Sequence, residues 1–243
     1  MSVAYEELDG LTLLRLSRPE KLNAMTSGMW LSLAEALNKA CRSASAIVVT
    51  GAGRAFSSGD DIGEMHGLQD PIEASRFFHS LEKAVTALAA CRRPVVAAVN
   101  GVAVGGGAEV LLLMDYVVAY KGALIGFPES RIGLVPPLLL TVGLLQLGGK
   151  RARTLALSGR LFSAEEAMAL GIVDEVVDGD PLPRALDVAR ELSRVPQQAL
   201  SIIKAASLQG VGEALTLLRS LESLVLGGEA KERMRLFLEK KLR

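Results

Sequence analysis

Short apolar segments alternate with amphipathic helical patterns along the first half of the chain. Residues 3–17 alternate apolar and polar positions around an Asp-Gly pair, which predicts a β-hairpin. Residues 26–40 have apolar side chains at helical spacing behind a threonine or serine N-cap, and residues 46–50 are apolar throughout, which is typical of a buried strand. The chain therefore begins as strand, strand, helix and strand.

The same kind of unit recurs further along. A glycine-rich loop follows the strand at 46–50, and another follows the next buried strand. The pattern predicts a helix at 74–90, a strand at 94–101, an apolar helix at 109–114, and strands at 116–120 and 123–127.

Beyond Pro137 the pattern becomes mostly helical. One helix is capped by Ser163 with a glutamate three residues later, and further helical segments cover 183–208 and 213–242. These patterns predict an α/β fold with strands buried on both faces and helices gathered at the C-terminus. With a seam at Asp178 to Pro183, we expect a core over 1–180 and a helical region over 181–243.

Composition narrows the class of function. The 243 residues include 27 basic and 27 acidic side chains, so the net charge predicts neither a nucleic acid nor a membrane partner. The two cysteines, Cys41 and Cys91, form no CxxC pair, so we expect no metal site, no disulfide and a reducing interior. The first ten residues lack the basic and apolar parts of a signal peptide, and no apolar run is long enough to span a membrane. A cytoplasmic protein with a small-molecule site is expected.

Two glycine-rich loops carry the first candidate chemistry. Residues 51–63 and 101–110 each follow a buried strand and lead toward a helix, where backbone N–H groups are unpaired. Two such N–H groups aimed at one point would form an oxyanion hole. Chain reversal alone is the alternative, while the spacing lacks the full G-x-G-x-x-G pattern of a dinucleotide site.

Two glutamates follow these loops. Glu109 begins an apolar helix, so it is either a buried carboxyl with a raised pKa or an acid that favours the helix N-terminus. Glu129 follows Phe127 and Pro128, and Arg131 offers it an ordinary ion pair. Spacing alone does not show that the two glutamates meet.

Several segments together resemble one known family, the enoyl-CoA hydratase/isomerase or crotonase superfamily. They occur in the family's order over nearly the whole chain, and the C-terminal FLEKK adds to them. The segments are SRPEKLNAM (17–25), GAGRAFSSGDDI (51–62), RRPVVAAVNGVAVGGGAEVLLLMDYVVA (92–119), GFPESRIGLVP (126–136) and SGRLFSAEEAMALGIVDEVV (158–177).

The resemblance implies a fold, a reaction and a set of catalytic residues. The fold would be a spiral of strand-strand-helix units with a C-terminal helical trimerisation region. The backbone N–H groups of Asp60 and Gly106 would form the oxyanion hole for a thioester. Glu109 would activate water and Glu129 would supply the proton at C2 of a 2-enoyl-CoA. Alternatives are a 3-enoyl to 2-enoyl-CoA isomerase and a non-catalytic assembly or RNA-binding protein.

The resemblance also implies the substrate and the assembly. The substrate would be an acyl-CoA thioester, so coenzyme A would be part of the substrate and not a separate cofactor. No metal is expected. The protein would be a homotrimer or homohexamer. Surface charge is the alternative for the two lysines of the CoA site. The residues implied in CoA or substrate binding are Lys21, Leu22, Ala55, Ser58, Asp61, Ile62, Phe237 and Lys240.

The chain departs from the family pattern in two places near the site. VPPLLLTVGLLQL (135–147) replaces a glycine-rich stretch, which predicts extra bulk beside the acyl pocket. Asp60 replaces a common small residue at the oxyanion position. Its backbone N–H is kept, but its side chain brings a carboxyl group to that position.

Overall fold

A computed structural model describes residues 3–240, which form eleven α-helices, ten strands and three short 3-10 helices. The 3-10 helices cover Pro19–Lys21, Val110–Leu113 and Glu129–Ile132. The strands are β1 Val3–Leu8, β2 Leu11–Leu16, β3 Ala46–Gly51, β4 Ala55–Ser57, β5 Val95–Val99, β6 Val102–Val104, β7 Tyr116–Tyr120, β8 Leu124–Gly126, β9 Leu161–Ser163 and β10 Glu175–Val177. The helices are α1 Ser27–Ser43, α2 Ile62–Gly67, α3 Pro71–Ala90, α4 Gly106–Glu109, α5 Val142–Leu147, α6 Gly149–Ser158, α7 Ala164–Leu170, α8 Leu182–Leu192, α9 Gln197–Ser207, α10 Val211–Leu226 and α11 Gly228–Leu238.

The larger sheet has six strands in the order β1-β2-β3-β5-β7-β10. β1 and β2 form the predicted antiparallel hairpin, while the other neighbouring strands pair in parallel. Asp9 and Gly10 both have positive φ, at 48° and 83°, as a two-residue hairpin turn requires. The hairpin and the α/β class predicted from the sequence are confirmed.

Alternate side chains of the central strands enter two different cores. Ile47 and Val49 pack with α1 and α3, whereas Val48 packs with α8 on the opposite face. All residues of β3 and β5 are buried. Their apolar runs thus reflect strands covered on both sides, as predicted. Within residues 3–240, no helix combines the length and apolarity needed to cross a membrane.

The smaller sheet has four strands in the order β4-β6-β8-β9. β4, β6 and β8 run parallel, and β9 pairs with β8 in the antiparallel direction. Parallel strands end at the same edge of a sheet, so the loops after β4, β6 and β8 are brought together. The candidate site lies at this edge of the smaller sheet.

Four predicted features differ from the structure. The apolar helix at 109–114 is a single α-turn followed by the 3-10 helix Val110–Leu113, and β9 and β10 interrupt the region predicted to be mostly helical. The segment 183–208 divides into α8 and α9 around Pro196, which has no N–H to continue a helix. The predicted helix 213–242 is α10 and α11, and its last two residues lie outside the described range.

The expectation of no disulfide is wrong for this structure. Cys41 in α1 and Cys91 after α3 form a disulfide, with their Cα atoms 5.6 Å apart. They are separated by 50 residues in sequence, but the two helices pack side by side and end at the same level. Sequence spacing does not reveal this proximity.

Reduction of this disulfide is expected to lower the free energy of unfolding by about 3 kcal/mol, because the bond removes loop-closure entropy from the unfolded chain. Denaturant titration with and without dithiothreitol measures the effect. The double variant Cys41→Ala, Cys91→Ala is the control and should not respond to reductant. Two free thiols in the unreduced, denatured protein would contradict the prediction. That result would instead agree with the expectation, drawn from the sequence, that the protein works in a reducing compartment.

Candidate active site

Three parallel strands direct the candidate residues toward one point. β4 leads into Gly59 and Asp60, β6 leads into Gly105 and Gly106, and β8 leads through Pro128 to Glu129. The carboxyl ends of parallel strands are a frequent location for ligand sites in α/β proteins. The structure therefore brings together Asp60, Gly106 and Glu129, which lie 23 to 69 positions apart in sequence.

A cavity of about 360 Å³ opens at this edge of the smaller sheet. Two surface grooves, of about 410 and 470 Å³, contain none of the predicted site residues. The cavity wall is mostly apolar, with Glu129, Asp60 and Arg131 as its ionisable groups. The predicted site residues that line it are Leu22, Ser58, Asp60, Ile62, Gly106, Glu129 and Phe237.

The backbone N–H groups of Asp60 and Gly106 have no acceptor within residues 3–240. Gly106 is the first residue of α4, so its N–H lies at a helix start, where intrahelical partners are missing. The neighbouring backbone of Asp60 is fixed because Met25 N donates to Gly59 O at 2.8 Å and Asp61 N donates to Met25 O at 2.9 Å. Two N–H groups beside the cavity meet the requirement for an oxyanion hole.

Gly59 allows the two loops to approach each other. It has a φ of +82°, and a Cβ at this position would lie 2.6 Å from the carbonyl oxygen of Val104 and 3.2 Å from Gly106 N. An L side chain would meet both backbone strain and a steric clash. The glycine therefore holds the Asp60 loop close to Gly106.

Glu129 is the first residue of a 3-10 helix and is 8% exposed. Neither carboxyl oxygen has a hydrogen-bond partner among the described residues, although such groups are usually paired when buried. The proposed ion pair with Arg131 is absent from the described ion pairs. A buried, unpaired carboxyl that lines a cavity is suited to contact a ligand.

Glu109 lies at the end of the single α-turn and is 4% exposed. Its Oε1 accepts a hydrogen bond from the N–H of Leu139 at 3.0 Å. Glu109 is buried and is not part of the cavity wall. Of the two sequence interpretations, the buried carboxyl is the one that the structure supports.

Both glutamates hold their protons more tightly than exposed glutamates do. Burial raises the pKa of Glu109 well above its usual range, and the nearby carboxyl of Glu129 adds to this effect. Burial likewise raises the pKa of Glu129, and Asp60 adds to it. Two coupled carboxyls with raised pKa values can share a single proton near neutral pH. One ionised and one protonated group is the state that acid–base catalysis needs.

The remaining predicted CoA-binding residues lie outside the cavity wall. Lys21 and Lys240 are exposed, and Asp61 caps α2 while it pairs with Arg18. Ala55 is completely buried and its carbonyl accepts from Asn23 at 2.7 Å, so it presents no surface to a ligand.

Some residues around the site were not identified from the sequence. Buried Asn23 donates to the carbonyls of Ala52 and Ala55 at 2.9 and 2.7 Å and so ties the first motif to β4. The indole of Trp30 donates to Asp60 Oδ1 at 2.8 Å. Asn23 lies in the quoted motif SRPEKLNAM, which gave a signal, whereas Trp30 is at an ordinary apolar position of a helix.

The leucine-rich segment after the site does not add the predicted bulk. Leu138 and Leu139 are buried in the core, and no residue of 135–147 is among those that line the cavity. The segment contributes a backbone N–H to Glu109 instead. Its bulk packs away from the cavity.

Helix α11 covers one side of the cavity through Phe237, which is 48% exposed. Lys231 attaches this helix to α2, since its Nζ donates to the carbonyls of His66 and Leu68 at 2.7 and 2.5 Å. Burial lowers the pKa of Lys231. Because α2 also lines the cavity, this contact fixes two of its walls relative to each other.

Several known proteins similar to this chain are named as enoyl-CoA hydratases or as isomerases of CoA compounds. A sequence model of the enoyl-CoA hydratase/isomerase family matches residues 6–241. A probable enoyl-CoA hydratase of Rhodobacter capsulatus is 36% identical over 99% of this chain and 96% of its own length. The 1,2-epoxyphenylacetyl-CoA isomerase of Escherichia coli is 37% identical over 81% of this chain and 78% of its own. An enoyl-CoA hydratase/isomerase structure from Mycobacterium paratuberculosis superimposes with a TM-score of 0.88 at 30% identity, covering 96% of this chain and 97% of that one.

The chain therefore belongs to the enoyl-CoA hydratase/isomerase family. The family, the crotonase-like fold and an enzyme of hydratase or isomerase type, all expected from the sequence, are confirmed. The division at residue 180 and the trimerisation role of the C-terminal helices stay predictions.

Proposed function

We propose that the protein adds water across the double bond of a 2-enoyl-CoA thioester. Ionised Glu109 takes a proton from water as the water oxygen bonds to C3, and protonated Glu129 gives its proton to C2. The enolate charge that develops on the thioester oxygen is held by the N–H groups of Asp60 and Gly106. The proton left on Glu109 then passes to Glu129, which restores the starting state, so overall water supplies both added groups and the chemistry requires no metal or redox cofactor.

The observation that carries this proposal is the pair of buried carboxyls beside two unpaired N–H groups. Glu129 lines the cavity with no partner among the described residues, and Glu109 is held by Leu139 N. Hydration needs two proton-transfer groups, whereas a binding protein needs neither. The pKa values of both groups are raised, which supports a state in which the pair holds the single proton that the reaction requires.

The CoA part of the substrate is proposed to leave the cavity past Leu22, Ser58 and Ile62, with Phe237 on the opposite side. Lys21 and Lys240 are exposed, where they could meet its phosphates without desolvation. Ala55 has no exposed surface and is left out of this proposal. A homotrimer or homohexamer and a cytoplasmic location also remain proposals.

Isomerisation of a 3-enoyl-CoA to a 2-enoyl-CoA is the second candidate. The match to a family whose description includes enoyl-CoA isomerases favours it. An isomerase needs one base and the same oxyanion hole, so a second buried carboxyl has no role in that reaction. The presence of both glutamates therefore favours hydration.

The test is hydration of 2-enoyl-CoA thioesters by the purified protein, followed by loss of the conjugated enoyl absorbance. A series of short, long and branched acyl groups is used, since the acyl chain is part of the question. Hydration of at least one member is expected. If none is hydrated while a 3-enoyl-CoA is isomerised, the second candidate replaces the first.

A further inference from the structure

The carboxyl group of Asp60 is an ionisable group in the cavity for which hydration, as proposed above, has no use. Its side chain is partly buried and lines the same cavity as Glu129, whose buried oxygens have no partner among the described residues. Oδ1 accepts from the indole N–H of Trp30 at 2.8 Å. Oδ2 has no protein donor in the described part of the chain.

Oδ2 lies beside the oxyanion hole. A Cβ built on Gly106 would come within 3.1 Å of Asp60 Oδ2 and equally close to Cζ2 of Trp30. The absence of a side chain at Gly106 thus creates the space that the carboxyl and the indole occupy. The carboxyl is also close enough to its own backbone N–H for that N–H to favour its ionised form. The two form no hydrogen bond within residues 3–240, so the N–H stays available to the thioester oxygen.

The surroundings of Asp60 stabilise its neutral form more than water does for an exposed aspartate, so Asp60 ionises at a higher pH. Burial raises its pKa to about 6, against the opposing effect of the Trp30 N–H. Nearby acids add to the increase, while Asp61 is itself paired with Arg18 and Glu64 accepts from Ser27. The other charged groups that face this region are Glu109, Glu129 and Arg131.

We propose that the neutral carboxyl group of Asp60 donates a third hydrogen bond to the thioester oxygen, beside the N–H groups of Asp60 and Gly106. This inference rests on the proposed function. Trp30 N–H occupies Oδ1 as an acceptor, which leaves the proton on Oδ2, next to the hole. A neutral carboxylic acid in an apolar site can serve as an oxyanion donor, as in ketosteroid isomerase. The ionised form would repel the enolate and compete for the N–H.

The test uses three variants and one control, measured over pH 5 to 9. Asp60→Asn keeps a donor that does not ionise, Asp60→Ala removes it, and Trp30→Phe removes the hydrogen bond that favours the ionised form. Asp187→Asn, an exposed aspartate on α8, controls for an acid-to-amide change elsewhere. Thermal melting confirms that each variant is folded.

In the wild type, kcat is expected to fall at least tenfold as Asp60 ionises. Asp60→Asn should retain activity within about tenfold of the wild type at pH 5 and lose this step, while Asp60→Ala should lose about a hundredfold at pH 5. Trp30→Phe should move the step to higher pH. Asp187→Asn should match the wild type. A step that persists in Asp60→Asn, or full activity of Asp60→Ala at pH 5, would overturn the proposal.

A second readout does not depend on turnover. A conjugated thioester such as cinnamoyl-CoA absorbs at longer wavelength when its carbonyl is polarised by hydrogen bonds. The red shift of the bound thioester should decrease as pH rises in the wild type and stay constant in Asp60→Asn. If this pattern is found but no 2-enoyl-CoA is hydrated, the role of Asp60 stands and the hydratase proposal fails. A shift that is equal in the wild type and Asp60→Ala overturns the role of Asp60 alone.

Discussion

Replacement of Glu129 by glutamine is expected to reduce kcat for hydration by about a thousandfold. Glutamine has nearly the same shape but has no acidic proton to give to C2. Because both oxygens of Glu129 lack partners among the described residues, the change breaks no hydrogen bond that supports the fold. Loss of activity in a folded protein would therefore report on proton transfer.

The roles of the two glutamates can be separated by a partial reaction. Exchange of the C2 protons of butyryl-CoA with deuterated water needs the base at C2 and the oxyanion hole, but no attacking water. Glu129→Gln should lose this exchange together with hydration, whereas Glu109→Gln should lose hydration and keep most of the exchange. Loss of exchange in Glu109→Gln alone would reverse the assignment.

The Glu129→Gln variant is expected to be more stable than the wild type above about pH 5. An unfolded glutamate ionises near pH 4.3, while burial raises the pKa of Glu129 in the folded protein. Below pH 4 both states are protonated, so the wild type and the variant should be equally stable. As pH rises toward the folded-state pKa, ionisation favours the unfolded wild type, and the glutamine variant gains more than about 1 kcal/mol in comparison. Denaturant titrations at pH 4 and pH 8 measure this difference.

Replacement of Gly59 by alanine is the second change with a large expected effect. Its Cβ would lie 2.6 Å from the Val104 carbonyl, at a φ of +82° that alanine adopts only with strain. The Asp60 loop must then move away from Gly106, which separates the two donors of the oxyanion hole. We expect kcat/KM to fall by a hundredfold or more, because a shift of about 1 Å has this effect on a positioned group.

Gly179→Ala provides the matched control for Gly59→Ala. No atom lies within 4 Å of a Cβ at Gly179, its φ is not in the positive range, and it is remote from the cavity. Circular dichroism and thermal melting should show that Gly59→Ala still folds. A folded Gly59→Ala protein with near wild-type kcat/KM would mean that the oxyanion hole is not where these two loops meet.

The parts of the fold that the sequence predicts are those in which the burial of a single element, or the φ angles of a single turn, determine the residue types. Residues 46–50 are apolar throughout because β3 is covered on both faces, and the Asp-Gly pair marks the hairpin because both residues need positive φ. The short strands β9 and β10 lack such a pattern, since each has three residues. Their positions depend on pairing with distant strands, which no local window contains.

The site residues that belong to a sequence motif could be predicted. The contacts that arise only when distant segments pack together could not. Asp60, Gly106 and Glu129 belong to quoted motifs and meet in the structure at one edge of the smaller sheet. The hydrogen bond from Trp30 to Asp60 joins a helix to a loop across 30 residues, and no spacing rule predicts it. The disulfide between Cys41 and Cys91 was missed for the same reason.

The contact between Leu139 and Glu109 uses the main chain of the leucine-rich segment and none of its side chains. A backbone donor is present whichever amino acid occupies the position, proline excepted. The hydrogen bond to Glu109 would therefore survive a change of side chain at position 139, provided that the buried packing of the segment is kept. Position 139 thus has two separate demands, an apolar side chain for the core and a main-chain N–H for Glu109, and only the first depends on which amino acid is present.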